Sequence, residues 1–364
     1  MDIKKVVVTG DAIFLDRYRN LFIAISDNCE QLDYLPYSLN EAKLSNFLKK
    51  VLPTSLIPKA NKLFRKNRKT FISKSQQMES RIRQLEYTPD LVIHLFGMYS
   101  PFADKFDIPY VMYLDYTMAL AAKNWSPWAP FNNPQELELW LACEHQAYER
   151  CHHIFPMSNV VKTSLIEDYG IAPEKITVVG ASGNFTEAYQ GEKTFGSKQI
   201  LFNGSDFERK GGDLVLAAFK KVKQALPDAK LVIIGKKIAI AEDGIENPGH
   251  IASPSQLRDL FLKTDLVVAP AYCDPFPVFL MDAMNYGVPC SVSAKDGMPE
   301  IVEHKVNGIV IPDLKAEIIA DNIIHLLSNI SVLKSMSERA REQMKIKLNW
   351  DNIAKNILQI LSKA

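Results

Sequence analysis

Short apolar runs alternate with amphipathic stretches along the whole chain. The first half carries KKVVVTG (4–10), DLVIHLF (90–96), YVMYL (110–114) and HIFPMS (153–158). The second half carries QILFNG (199–204), KLVIIG (230–235), DLVVAPA (265–271) and GIVIP (308–312). Runs rich in β-branched residues suit strands covered on both faces, and helical patterns between them predict βα units on parallel sheets. Two such series predict an α/β protein of two Rossmann-like, doubly wound domains. Polar residues, Gly and Ser cluster in GASGNFTEAYQGEKTFGSK (180–198), which places the boundary there. The expected division is 1–185 for the first domain and 186–345 for the second. The tail, ending in WDNIAKNILQILSKA, has helical periodicity, and 346–364 is expected to pack back on the first domain.

Length agrees with two domains, because 364 residues exceed one ordinary core. The N-terminal apolar run is broken by Asp11 and does not read as a signal peptide. No stretch approaches the roughly 18 apolar residues of a membrane span. Five cysteines (29, 143, 151, 273, 290) without a CxxC pair suggest reduced thiols and a cytoplasmic location.

The net charge of +1 hides one strongly basic block. From 42 to 78 there are ten Lys or Arg and no acid. Leu44, Phe47, Leu48, Val51 and Leu52 share one helical face there, and Lys62, Arg65 and Lys66 follow. A basic amphipathic segment suits an anionic membrane surface, or a solvated helix with one core-facing side. Nucleic acid is a poorer match, since no binding motif accompanies the charge.

The chemistry concentrates in the second half. In CDPFPVFLMDAMNYGVP (273–289) two acids, Asp274 and Asp282, stand eight residues apart in an apolar setting. Pro277 suits the first position of a helix that Gly287 closes. A helix starting at the carboxyl end of a parallel strand presents free N–H groups to an anion. In LFNGSDFERKGGDLVLAAF (201–219) the cations Arg209 and Lys210 oppose the dipole of the helix they precede, a penalty that a bound phosphate reverses. AKDGMPEIVEHKVNGIVIP (294–312) places Glu300 at a third helix start.

In this order and spacing the three segments resemble the family 4 retaining glycosyltransferases of GT-B fold, most clearly over 200–312. The resemblance implies transfer of a sugar from a nucleotide-diphosphate sugar, UDP- or GDP-linked, to a glycan or lipid-linked hydroxyl. Asp274 takes the place of the acid that touches the donor sugar, and Asp282 that of the acid holding the ribose. Aspartate for glutamate shortens each reach by about one C–C bond, roughly 1.5 Å. Lys210 matches the cation that stabilises the leaving diphosphate. Ser205 follows Gly204 where the family has Arg, and Arg209 is the nearby substitute. The Phe276, Pro277 and Val278 backbone and Glu300 complete the implied donor site, with Pro277 standing where the family usually has Gly.

In the first half the same resemblance assigns Gly10 to the donor phosphates and Asp115 to the family's histidine position. Asp115 reads equally as a proton-accepting group or as an N-cap for TMALAAK. His94 reads as a loop or supporting histidine, and Ser158 matches a serine frequent before the linker. Trp125, Trp128 and Phe131 either stack on an acceptor or anchor their loop. Cys143 and His145, two apart, diverge on a helix and lack a second ligand pair, so they do not read as zinc ligands. The chain has no Asp-x-Asp pair, so no metal cofactor is expected. Two other readings stay open: a glycoside phosphorylase on the same fold, or a catalytically inactive relative serving as an interaction module.

Overall fold

The computed structural model describes residues 3–37, 66–185, 187–240 and 242–363. The amphipathic stretch 44–52, Lys62 and Arg65 lie outside the described residues. The chain divides into two compact units, Met1–Gly180 with Ile353–Ala364, and Ala181–Asn352.

The first unit is built on five parallel strands: β1 Lys5–Asp11, β2 Gln31–Tyr37, β3 Leu91–Leu95, β4 Tyr110–Leu114 and β5 His153–Pro156. Their order is β2-β1-β3-β4-β5, a doubly wound sheet that reverses direction between β1 and β3. Every residue of β3 and β4 is buried, which is why both read as unbroken apolar runs. Phe71, Met78 and Ile82 of helix Arg68–Arg83 and Trp140, Ala147 and Tyr148 of helix Pro134–Arg150 join this core.

The second unit holds six parallel strands: β6 Gln199–Asn203, β7 Lys230–Ile234, β8 Ile245–Gly249, β9 Leu266–Ala269, β10 Cys290–Ser293 and β11 Gly308–Ile311. The order is β11-β10-β9-β6-β7-β8. The chain starts mid-sheet, runs to one edge, and returns to build outward on the other side. Its switch point therefore lies between β6 and β9, where the loops after the two strands part and a ligand site forms. Helices Gly212–Ala225 and Ala316–Leu327 supply Val215, Phe219, Val222, Ile319 and Ile323 to the core beside the sheet.

Helix Val278–Asn285 ends as its sequence requires. Gly287 at φ +73 lets its N–H donate to Met284 O at 2.9 Å, and Val288 N–H donates to Ala283 O at 3.0 Å. That pair of bonds is a Schellman closure. At the other end Pro277 is the N-cap, with extended ψ, rather than the first helical residue. The helix starts one position later than predicted because Pro277 takes a ψ of 107°, outside the helical range.

Candidate functional site

Glycine lets the loops after β6 and β9 meet. Gly211, the N-cap of helix Gly212–Ala225, sits at φ +74, and a Cβ there would lie 2.2 Å from Pro270 O. This close approach places the side chain just before it, Lys210, beside the loop that leaves β9. Lys210 Nζ donates to Asp274 Oδ2 at 2.7 Å, and both side chains are largely buried. Thus two predicted residues 64 positions apart form one ion pair at the carboxyl ends of the first and fourth strands of this sheet.

Arg209 has a different role from Lys210. Its Nε donates to Asp206 Oδ2 at 2.7 Å, its Nη1 donates to Cys273 O at 2.5 Å, and Nη1 stands 3.5 Å from Asp274. Tyr272 N–H donates to Arg209 O at 2.9 Å. The guanidinium is buried and lies on protein acceptors, so it braces the two loops rather than projecting as a second phosphate cation. Its planar fork of donors suits that bridging geometry. Ser205 is exposed, its N–H donating to Asn203 Oδ1 at 3.1 Å. Gly204 is closely packed, a Cβ there meeting the Ile233 side chain at 3.1 Å.

Beyond Asp274, Phe276 and Pro277 are buried and lead into helix Val278–Asn285. Its first N–H groups, Val278 and Phe279, have no preceding helical carbonyl to reach and form the positive end of the helix dipole. Glu300 lies half-buried in the first turn of the short helix Met298–Ile301.

Asp282 is buried within its helix and faces the segment Gly183–Asn184. Asn184 N–H donates to Oδ1 at 2.5 Å, and Asn184 Nδ2 donates to Oδ2 at 3.3 Å. A Cβ at Gly183 would lie 2.5 Å from Oδ1. Burial pushes the Asp282 carboxyl up to about 6, against the opposing hydrogen bonds from Asn184. Asn184 escaped the sequence reading because nothing local marks one linker residue as the partner of an acid 98 positions away.

In the first unit Gly10 is the last residue but one of β1, at φ +155, where a Cβ would meet Leu95 Cβ at 2.9 Å. His94 lies inside β3 rather than in a loop. Its Nδ1 accepts from Thr9 Oγ1 at 2.7 Å, its Nε2 faces Tyr99 O at 2.8 Å, and burial lowers its pKa to about 3. Neutral, fully buried and doubly bonded, it is a structural histidine. Asp115 follows β4, but the cap of helix Met118–Asn124 is Thr117, whose side chain accepts from Leu120 N–H. Ser158 caps helix Asn159–Glu167 in the same way.

Trp128 stacks edge-on against Tyr116, and with Phe131 packs on the first unit's core, while Trp125 is half-buried. Lys66, expected among the membrane-facing bases, is turned inward and donates to Trp128 O at 2.5 Å. Desolvation lowers its pKa, opposed by the Glu144 carboxylate, and the backbone carbonyl supplies the partner that a buried ammonium requires. Glu144 itself was not anticipated. It is fully buried, accepts from Tyr169 OH and from Met118 N–H, and burial raises its pKa to about 7. The signal available for it was an acid in line with Trp140 and Tyr148 on one helical face.

The stretch 186–343 matches the model of the glycosyl transferases group 1 family. Those residues belong to that family. The matched group 1 stretch contains Arg209, Lys210, Asp274, Asp282 and Glu300. An uncharacterized glycosyltransferase of Methanocaldococcus jannaschii is 29% identical over 175 residues, covering 45% of this chain and 44% of that protein. A phosphatidyl-myo-inositol mannosyltransferase of Mycobacterium tuberculosis is 28% identical, covering 45% and 46%. A D-inositol 3-phosphate glycosyltransferase of Corynebacterium aurimucosum is 25% identical over 72% of this chain and 68% of that one. The alignments span about half the length of most of these curated relatives.

Several solved structures cover the chain almost completely, among them the following two. Sucrose-phosphate synthase from Thermosynechococcus elongatus superposes with a TM-score of 0.71 at 15% identity, over 99% of this chain and 98% of that one. Anabaena HepE, crystallised with UDP and glucose, gives 0.66 at 15%, over 99% and 100%. Both establish the GT-B fold anticipated above.

Proposed function

We propose that this protein is a metal-independent, retaining glycosyltransferase. It would move a sugar from a nucleotide-diphosphate sugar to the hydroxyl of a glycan or lipid-linked acceptor in the cytoplasm. The observation that carries this reading is the Lys210–Asp274 pair at the β6/β9 switch point, 2.7 Å apart beside the start of helix Val278–Asn285. In the reaction the bond from the anomeric carbon to the β-phosphate oxygen breaks, and the diphosphate leaves with the electron pair. The acceptor oxygen bonds to that carbon and its proton passes to the departing phosphate. Lys210 stabilises the growing negative charge, joined by the N–H groups that open helix Val278–Asn285. Asp274 holds the ammonium in place and would accept from a hydroxyl of the donor sugar.

UDP is the first nucleotide to try, since Anabaena HepE was crystallised with it. The lipid side of the reading is supported by the basic block 42–78, Lys66 apart, and by the mannosyltransferase named for phosphatidyl-myo-inositol. Calorimetric titration with UDP, GDP, ADP, dTDP and CMP tests the donor site. One clear binder is expected, and Lys210→Ala should abolish transfer from the matching nucleotide sugar while the protein stays folded. Wild-type turnover in that variant would remove the assignment. Binding by none of the five would favour a phosphorylase, which needs no nucleotide, or an inactive relative.

A further inference from the structure

The loop after β9 is held at consecutive positions by its neighbours. Ser293 Oγ donates to Ala271 O at 2.7 Å, Arg209 O accepts from Tyr272 N–H, and the Arg209 guanidinium holds Cys273 O. At the next two positions the grip comes from the loop after β10. Asp296 Oδ2 accepts the Asp274 N–H at 2.8 Å, and Gly297 N–H donates to Pro275 O at 2.9 Å. Asp296 makes its contact from φ +48, a left-handed conformation that L residues adopt at a cost. Strain of this kind persists where surrounding structure enforces it, and it concentrates at functional sites. Glycine would sit at φ +48 without penalty but offers no acceptor. Aspartate supplies the acceptor and tolerates the backbone.

We propose that Asp296 is a positioning residue that fixes the Asp274 backbone, and through it the Lys210–Asp274 pair, in the geometry that receives the donor sugar. This rests on the donor-site reading above. The carboxylate of Asp274 leaves a backbone pinned at its own N–H and at the following carbonyl, so protein contacts alone set its 2.7 Å contact with Lys210. Release of that N–H lets the loop shift by the fraction of an ångström that such a site does not tolerate.

Two variants separate positioning from folding. Asp296→Gly removes the acceptor and the strain together, so the two effects offset and the melting temperature should stay near that of wild type. Asp296→Asn keeps an acceptor oxygen and the tolerance of left-handed backbone. Hydrogen exchange at the Asp274 amide should quicken about fivefold or more in Asp296→Gly, in keeping with the loss of one hydrogen bond, and stay near wild type in Asp296→Asn. Binding of UDP-glucose should weaken by a similar factor in the glycine variant and recover in the asparagine one. Unchanged Asp274 exchange in Asp296→Gly would overturn the proposal. So would accelerated exchange with UDP-glucose affinity intact. Lys210→Ala serves as the separate control. If it binds UDP-glucose as wild type does, the donor-site reading falls, while the exchange result still decides whether Asp296 holds the loop.

Discussion

Asp274 and Asp282 are the same residue type in opposite settings. Asp274 is met by an ammonium at 2.7 Å, whereas among the described residues Asp282 is met by the backbone and amide of Asn184. Burial outweighs the two hydrogen bonds from Asn184 and raises the Asp282 carboxyl from its ordinary 3.8 to about 6. An acid whose folded pKa is raised binds its proton more tightly when folded, so its ionisation opposes folding. The penalty is complete above pH 6, shrinks as pH falls through the folded value, and vanishes below the unfolded one. A shift of roughly 2 pH units corresponds to about 3 kcal/mol at most. Asp282→Asn, which mimics the protonated form, should be more stable than wild type at pH 8 by up to that amount. The gap should close by about pH 4, as read from urea midpoints at several pH values. A constant gap across that range would mean that Asp282 is not the titrating group. Residue identity and spacing were enough to single out both acids. Their contrasting partners were not legible, because they are supplied by residues 64 and 98 positions away in sequence.

At the scale of elements, the strands that were legible are the ones covered on both faces. The structure adds β2, β8 and β10. β2 (QLDYLPY) and β8 (IENPG) are sheet edges, half-exposed, and each carries a proline, Pro36 and Pro248. Proline cannot donate to a ladder and is tolerated where one side of the strand is unpaired, so an edge need not read as an apolar run. β10 (CSVS) is central yet only four residues long, with Ser291 and Ser293 buried. The turns were easier to read, because glycine at a positive φ leaves a direct mark. Gly211→Ala should cost more than the roughly 1–2 kcal/mol of a left-handed alanine, since the added Cβ would meet backbone at Pro270 O rather than a movable side chain. Gly287→Ala also meets the left-handed penalty, but its nearest obstacle is the Ser337 hydroxyl at 2.5 Å, which can rotate. Denaturant unfolding should therefore rank Gly211→Ala as the more damaging of the two, and only it should weaken nucleotide binding. The opposite order would mean that the Gly211–Pro270 approach relaxes without cost.

At the scale of the whole molecule, the chain passes between the two units twice, after Gly180 and after Asn352. The second unit is therefore one continuous segment, 181–352, while the first needs 353–364 in addition to its N-terminal part. Segment 181–352 has its own six-stranded sheet and its own buried cluster, and it contains Asn184, Arg209, Lys210, Asp274, Asp282 and Asp296. Its two ends are tied within the unit, Ser182 Oγ donating to Leu348 O at 2.6 Å and Trp350 Nε1 to Gly183 O at 2.8 Å. A segment of this size with its own core is expected to fold alone. Expressed by itself, 181–352 should melt cooperatively and bind the same nucleotide as the full chain. Truncation after Asn352 should destabilise the first unit alone, so scanning calorimetry of the shortened chain should show one lowered transition and one unchanged. Nucleotide at about 100 times its Kd should raise only the second unit's transition, by roughly 2.7 kcal/mol of added stability. If nucleotide shifted only the first transition, the donor site would have to be sought outside 181–352, and Lys210 and Asp274 would become structural residues.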